Sequence, residues 1–159
     1  MIDAEDRDIP NRHFVPERWR RIYVASSWRN QQQQEVVESL RWDGHAVYDF
    51  KNPGRKSKGF SWADIDPNWR TWNQSQYLAA LKHPISEVGY GNDFAAMKWA
   101  DTFVLVLPCG RSAHLELGWA CGQGKQTLLL LDNSEPELMA KMVDHLCTSL
   151  NEVREVLAR

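Results

Sequence analysis

A lone carboxylate, Glu116, stands in a stretch where an apolar run, a break and a helix follow one another, from Asp101 to Lys125. The run from Phe103 to Leu107 reads as a strand buried on both faces. Pro108-Cys109-Gly110 breaks it, and Ser112 is placed to cap a helix that ends in Gly122 and Gly124. In an open α/β sheet such a corner lies at the carboxyl ends of the strands, where ligands bind. In the first turn of that helix, backbone N–H groups and the helix dipole favour the ionised form of Glu116. An ionised carboxylate at a ligand crevice is a candidate nucleophile. The competing reading is a structural glutamate. A capping box needs the acid three residues after the serine, and that position is Leu115. The apolar neighbours Leu117, Trp119 and Ala120 leave little room for a solvated polar face.

Two further groups carry residues of the right type. Ser26-Ser27-Trp28 follows a short apolar strand and precedes a helix expected from about residue 29 to 42. Hydroxyls and free N–H groups at a helix N-terminus suit an anion, and they equally suit ordinary N-capping. Asn92-Asp93 follows Gly89-Tyr90-Gly91, where a helix over residues 84–100 is expected to break or restart. Asp93 is then a cap for the second half, or a carboxylate aimed at the crevice.

The elements that must position these residues alternate along the chain. Strands are expected at residues 22–25, 46–48, 103–107, 127–131 and, weakly, 145–147. Helices are expected between them, with a helical segment over residues 135–142. A last helix is capped by Ser149, with Glu152 completing a capping box. Five strands alternating with helices predict an α/β, doubly wound parallel sheet of order 2-1-3-4-5. The crevice between strands one and three would bring Tyr23 and Ser26 close to Gly110, Ser112 and Glu116. Residues 1–20 read as a charged arm, and residues 21–159 as one domain with a Trp-rich insertion at about 51–83. That insertion joins a basic loop to Trp62, Trp69, Trp72 and Tyr77. Its aromatics could stack a nucleobase beside a steered phosphate, or pack on the domain or a partner subunit.

Composition narrows the classes. The chain has 159 residues, 43% of them hydrophobic, and a net charge of −2, so neither disorder nor bulk attraction to a nucleic acid polymer is implied. Three cysteines without paired spacing suit a reducing cytosol, and no zinc-type Cys/His spacing is present. The apolar runs are too short to cross a bilayer, and the polar N-terminus is no signal peptide. No G-x-G-x-x-G occurs, so the dinucleotide fingerprint is missing.

These residues together resemble a known family. Ile22-Tyr23-Val24-Ala25, Asn92-Asp93, and His114-Leu115-Glu116-Leu117-Gly118-Trp119-Ala120 with Gly124-Lys125 are similar to the nucleoside 2-deoxyribosyltransferase family, over roughly residues 21–157. The resemblance implies a flavodoxin-like fold, no cofactor, a homodimer or higher homo-oligomer, and a small-molecule nucleoside or nucleotide substrate. It implies Glu116 as the nucleophile on the anomeric carbon, Asp93 as the group handling the departing base, and Tyr23 as the residue orienting Glu116. Cleavage of an N-glycosidic bond passes through an oxocarbenium-like state that a carboxylate can stabilise or trap, and the base needs a proton. Family members acting on free nucleosides carry an acid six positions before the glutamate; that position here is Gly110. Arg111 and Ser112, joined by Ser26, Ser27 and Arg29, suit an anion instead. His114-x-Glu116-x-Gly118-Trp119-Ala120 is similar to the branch that hydrolyses nucleoside 5′-monophosphates. Trp28 and His114 complete the expected binding set. Three other readings stay open: a phosphoribohydrolase of the cytokinin-activating kind, a non-catalytic nucleotide sensor, and TIR-like NAD cleavage.

Overall fold

The computed structural model describes residues 16–54 and 57–159. Its five strands are β1 (Arg21–Ala25), β2 (Ala46–Asp49), β3 (Thr102–Val106), β4 (Gln126–Leu130) and β5 (His145–Cys147). All pair in parallel, in the order β2-β1-β3-β4-β5. The helices are α1 (Gln32–Trp42), α2 (Gln74–Leu81), α3 (Pro84–Trp99), α4 (Arg111–Gly122) and α5 (Leu150–Ala158). The expected fold class and strand order are those observed.

Side chains alternate across each strand, and both faces of the sheet are covered, so β3 is buried at all five positions. On one face Ile22, Val24, Val104, Val106, Leu128 and Leu130 pack with Val36, Val37 and Leu40 of α1 and Val153 and Leu157 of α5. On the other, Tyr23, Ala25, Phe103, Leu105 and Leu129 meet Ala96 and Met97 of α3 and Ala113, Leu117 and Ala120 of α4. Register then aligns three rings on that second face. Tyr23 pairs with Tyr48 of β2 and with Phe103 of β3. Its ring stacks against theirs at 5.3 Å and 5.0 Å. At the opposite end of the sheet the buried Arg154 of α5 grips Asp43 through two bonds of 2.7 Å and 2.6 Å.

Several boundaries differ from expectation. Helix α1 begins at Gln32, because the Asn30 side chain accepts its first N–H at 2.9 Å. Ser26 and Ser27 therefore lie in the preceding loop and not at the helix end. Helix α3 runs unbroken through Gly89 and Gly91, so Asp93 is an interior helical residue and caps nothing. Packing outweighs glycine's weak helix propensity here. A Cβ at Gly89 would stand 2.8 Å from Phe60 Cβ. Helix α4 is capped by Gly110 in extended conformation, two residues before the expected Ser112. The segment expected as a helix over residues 135–142 is a 3-10 turn at Leu138–Met142. Ser149 does cap α5, accepting the Glu152 N–H, while the Glu152 carboxylate accepts from the N–H and hydroxyl of Thr148.

The insertion between β2 and α3 holds two 3-10 turns, Trp62–Asp64 and Trp69–Thr71, before α2. Its aromatics build a small core of their own. Trp62 meets Phe60, Trp72 and Tyr77 edge-on, and Trp72 donates its indole N–H to Asp66 at 2.7 Å. Of the expected N-terminal arm, residues 1–15 lie outside the described residues. Glu17 N–H bonds the Ala158 carbonyl at 3.0 Å, and the Arg20 guanidinium bonds that of Arg159 at 2.8 Å.

Candidate active site

The β1 and β3 ends are tied together just below the crevice. The Ser26 hydroxyl donates to the Val106 carbonyl at 2.8 Å. The Asn30 amide donates to the Val106 and Pro108 carbonyls at 3.2 Å each. The loop after β1 thus lies beside the loop entering α4, as a switch point requires. Ser27 accepts the Arg29 N–H, which makes a tight turn and leaves Trp28 half-exposed. Trp28 leans edge-on against Phe50 at 5.6 Å. Gly59, at φ +76°, passes so close that a Cβ would stand 2.7 Å from the Trp28 ring. Trp28 therefore links the β1 loop to the insertion.

Gly110, Arg111, Ser112 and His114 are exposed at the start of α4. His114 folds back over its own loop, with Nδ1 3.2 Å from the Gly110 carbonyl and 3.4 Å from the Cys109 sulfur.

Glu116, Asp93 and Tyr23 do come together, over the α3–α4 face of the sheet. Glu116 lies in the second turn of α4 and not the first. The helix N-terminus is thereby too far to hold it ionised. Burial, and then the Asp93 carboxylate, push it up to about 8, with Tyr23 pulling weakly the other way. Asp93 is also raised by burial, partly offset by the Tyr48 hydroxyl, which donates to its Oδ1 at 2.8 Å. The expectation of a dipole-ionised glutamate is overturned, because desolvation of a half-buried carboxyl exceeds what the helix end supplies. Tyr23 is fully buried, and its hydroxyl neighbours Glu116 without closing a well-formed hydrogen bond. Burial and the surrounding acids raise the Tyr23 phenol far above its ordinary value, so it is present only as O–H.

Burial raises both carboxyls, and the Asp93 charge raises Glu116 further, so Glu116 keeps its proton up to about 8. Such a pair can supply one ionised carboxylate and one carboxylic acid at once. Among the described residues no three His, Cys, Asp or Glu side chains gather as a metal site. A cavity of about 500 Å³ opens from Tyr48 and Asp93 between the insertion and α3, lined further by Phe60, Ile85 and Val88. Sequence reasoning did not find Tyr48, Asn30 or Phe50 as parts of this site. The only signal for Tyr48 was an aromatic residue in a short strand, and its pairing with Tyr23 becomes visible only through the register.

The chain is thus a doubly wound α/β protein of flavodoxin-like topology with a carboxyl pair above its central strands. A 2-deoxyribosyltransferase from Bacillus psychrosaccharolyticus is similar to it, at 23% identity and a TM-score of 0.54, over 84% of this chain and 89% of that one. A CMP N-glycosidase from Clostridium botulinum aligns at 19% identity and a TM-score of 0.45, over 86% of this chain and 95% of that one. At 23% identity the likeness to the deoxyribosyltransferase is one of fold. No family model matches the chain, and no curated protein does.

Proposed function

We propose that this protein cleaves the N-glycosidic bond of a nucleoside 5′-monophosphate, by hydrolysis or by transfer, through Glu116. The observation that carries the reading is the convergence of Glu116 and Asp93 on the buried Tyr23 ring, with Asp93 held by the Tyr48 hydroxyl at 2.8 Å. The fold shared with a 2-deoxyribosyltransferase supports it.

The steps balance with residues of this chain. Ionised Glu116 attacks the anomeric carbon and forms a glycosyl ester. The C–N bond breaks, its electron pair goes to the base nitrogen, and protonated Asp93 gives that nitrogen its proton. Water, or a second base, then attacks the anomeric carbon and frees Glu116, and the Asp93 carboxylate takes up the proton released. In the free protein burial keeps the proton on Glu116 up to about 8. Positive charge developing on the sugar ring stabilises ionised Glu116 and draws the proton to Asp93. Tyr23 orients Glu116. Arg111, Ser112 and Gly110 at the α4 entrance, with Ser26, Ser27, Trp28 and His114 around the mouth, hold the phosphate and sugar.

The protein acts as a homodimer in the reducing cytosol. In support, its three cysteines are free thiols, and α2 and the start of α3 expose Tyr77, Leu78, Leu81, Ile85, Val88 and Tyr90 together. No described helix is long and apolar enough to cross a membrane.

The deciding experiment incubates the protein with ribo- and deoxyribonucleoside 5′-monophosphates, their parent nucleosides and NAD, with Glu116→Ala in parallel, and measures free base by chromatography. Base released from a monophosphate, and lost in the variant, is the expected outcome. Nicotinamide release would make the protein an NAD glycohydrolase. No release from any substrate, with a nucleotide still raising Tm, would make it a non-catalytic nucleotide sensor.

A further inference from the structure

Helix α3 and strand β2 make one contact that the reaction above does not require. The Tyr48 hydroxyl donates to Asp93 Oδ1 at 2.8 Å, and the Tyr48 ring is fixed by its stack on Tyr23 at 5.3 Å. We infer that Tyr48 is a positioning residue that decides which oxygen of Asp93 carries the proton delivered to the leaving base. This rests on the glycosidase reading given above.

A phenol that donates to Oδ1 makes that oxygen the acceptor, and in a neutral carboxyl the better acceptor is the carbonyl oxygen that carries no proton. The proton of neutral Asp93 therefore belongs on Oδ2. Burial and the neighbouring acids raise the Tyr48 phenol well above its ordinary value, so it stays a donor at any working pH. The cavity of about 500 Å³ that Asp93 and Tyr48 both line offers a departing base room beside that carboxyl. When Oδ2 gives its proton to the base nitrogen, the C–N electron pair leaves with the base and Asp93 becomes a carboxylate. The Tyr48 O–H is already in place to stabilise that charge, so no reorganisation is needed at the moment of transfer. Asp93 meets Tyr48 from β2, Tyr23 from β1 and Glu116 from α4, and Lys58 and Asp64 of the insertion line the same cavity. Of these, Tyr48 is the one that donates a hydrogen bond to the Asp93 carboxyl.

Tyr48→Phe keeps the ring and its stack and removes only the hydroxyl. Turnover is compared between the natural nucleotide and the matching 4-nitrophenyl glycoside 5-phosphate, whose nitrophenolate departs without a proton. The variant is expected to lose roughly 10- to 100-fold in kcat on the nucleotide, a part of the roughly 100- to 10,000-fold that a general acid contributes, and less than about threefold on the nitrophenyl compound. In parallel, the Asp93 side-chain carbon is followed by NMR across pH. Its midpoint should rise in Tyr48→Phe, because a bond that favours the carboxylate is lost. Equal losses on both substrates would show a merely structural tyrosine and overturn the inference, as would an unmoved Asp93 midpoint. If wild type releases no base from any substrate, the glycosidase reading itself has failed, which the wild-type assay shows before any variant is compared.

Discussion

Glu116 is the residue whose chemistry depends most on its surroundings. Its ordinary value is 4.5, and the fold raises it to about 8. Between those two values the folded protein keeps a proton that the unfolded chain has released. Stability contributed at this site is therefore present below about 4.5 and is lost as pH rises through about 8. Glutamine at 116 carries no such proton. Glu116→Gln should leave Tm near wild type at pH 5 and raise it clearly at pH 8.5, where the stability difference is on the order of a few kcal/mol. Thermal melts at the two pH values check this; equal effects at both would mean that Glu116 ionises normally. A residue that destabilises the fold in its charged form is the kind expected where function outweighs stability. The residue types were legible beforehand, since Glu116, Asp93 and Tyr23 stand out by chemistry and resemblance. The protonation state was not, because it follows from burial and from Asp93, a helix away in sequence.

At the scale of elements, α3 shows how packing overrides local preference. Gly89 and Gly91 signal a break, yet the helix continues, and Gly89 serves a different end by letting Phe60 of the insertion lie against it. The insertion is consequently seated at two points, Phe60 on Gly89 and Gly59 beneath Trp28. Gly89→Ala would improve helix propensity but drive a methyl group into Phe60. The cost should be about 1–3 kcal/mol, paid chiefly as undocking of the insertion. Hydrogen exchange should quicken over residues 57–73 while the sheet stays protected, and uniform protection would show that the seat is not needed. The resembled Gly124-Lys125 pair likewise has a structural account. Gly124 takes φ +67° in the turn after α4, and the Lys125 ammonium caps the end of α3 through the Ala100 and Lys98 carbonyls. It lies over Phe103 and Trp119 as it does so.

At the scale of the whole molecule, the central strand β3 is covered on both faces, whereas α2 and α3 expose apolar side chains. Leu78 is 60% exposed, Val88 63% and Tyr90 65%, large apolar side chains on two successive helices. Self-association through this face is testable without touching the carboxyl pair. If the protein is a dimer through this face, Leu78→Asp, which lies outside the cavity beside Asp93, should convert it to a monomer in sedimentation velocity while far-UV circular dichroism stays unchanged. A wild-type protein that sediments as a monomer at every concentration would remove the dimer.

The amino-acid sequence alone determined the architecture, because apolar runs, breaks and alternation are local signals that a parallel doubly wound sheet translates directly. The five strands fall within a residue or two of their expected places, and their order follows from the β-α alternation. It also singled out the carboxylates by type. The tertiary structure decided what depends on distance through space. Register set Tyr48 beside Tyr23, helix phase turned Asp93 inward, and the early start of α4 carried Glu116 away from the helix end. Burial then raised both acids, and no pattern along a chain encodes desolvation until the chain has folded around it.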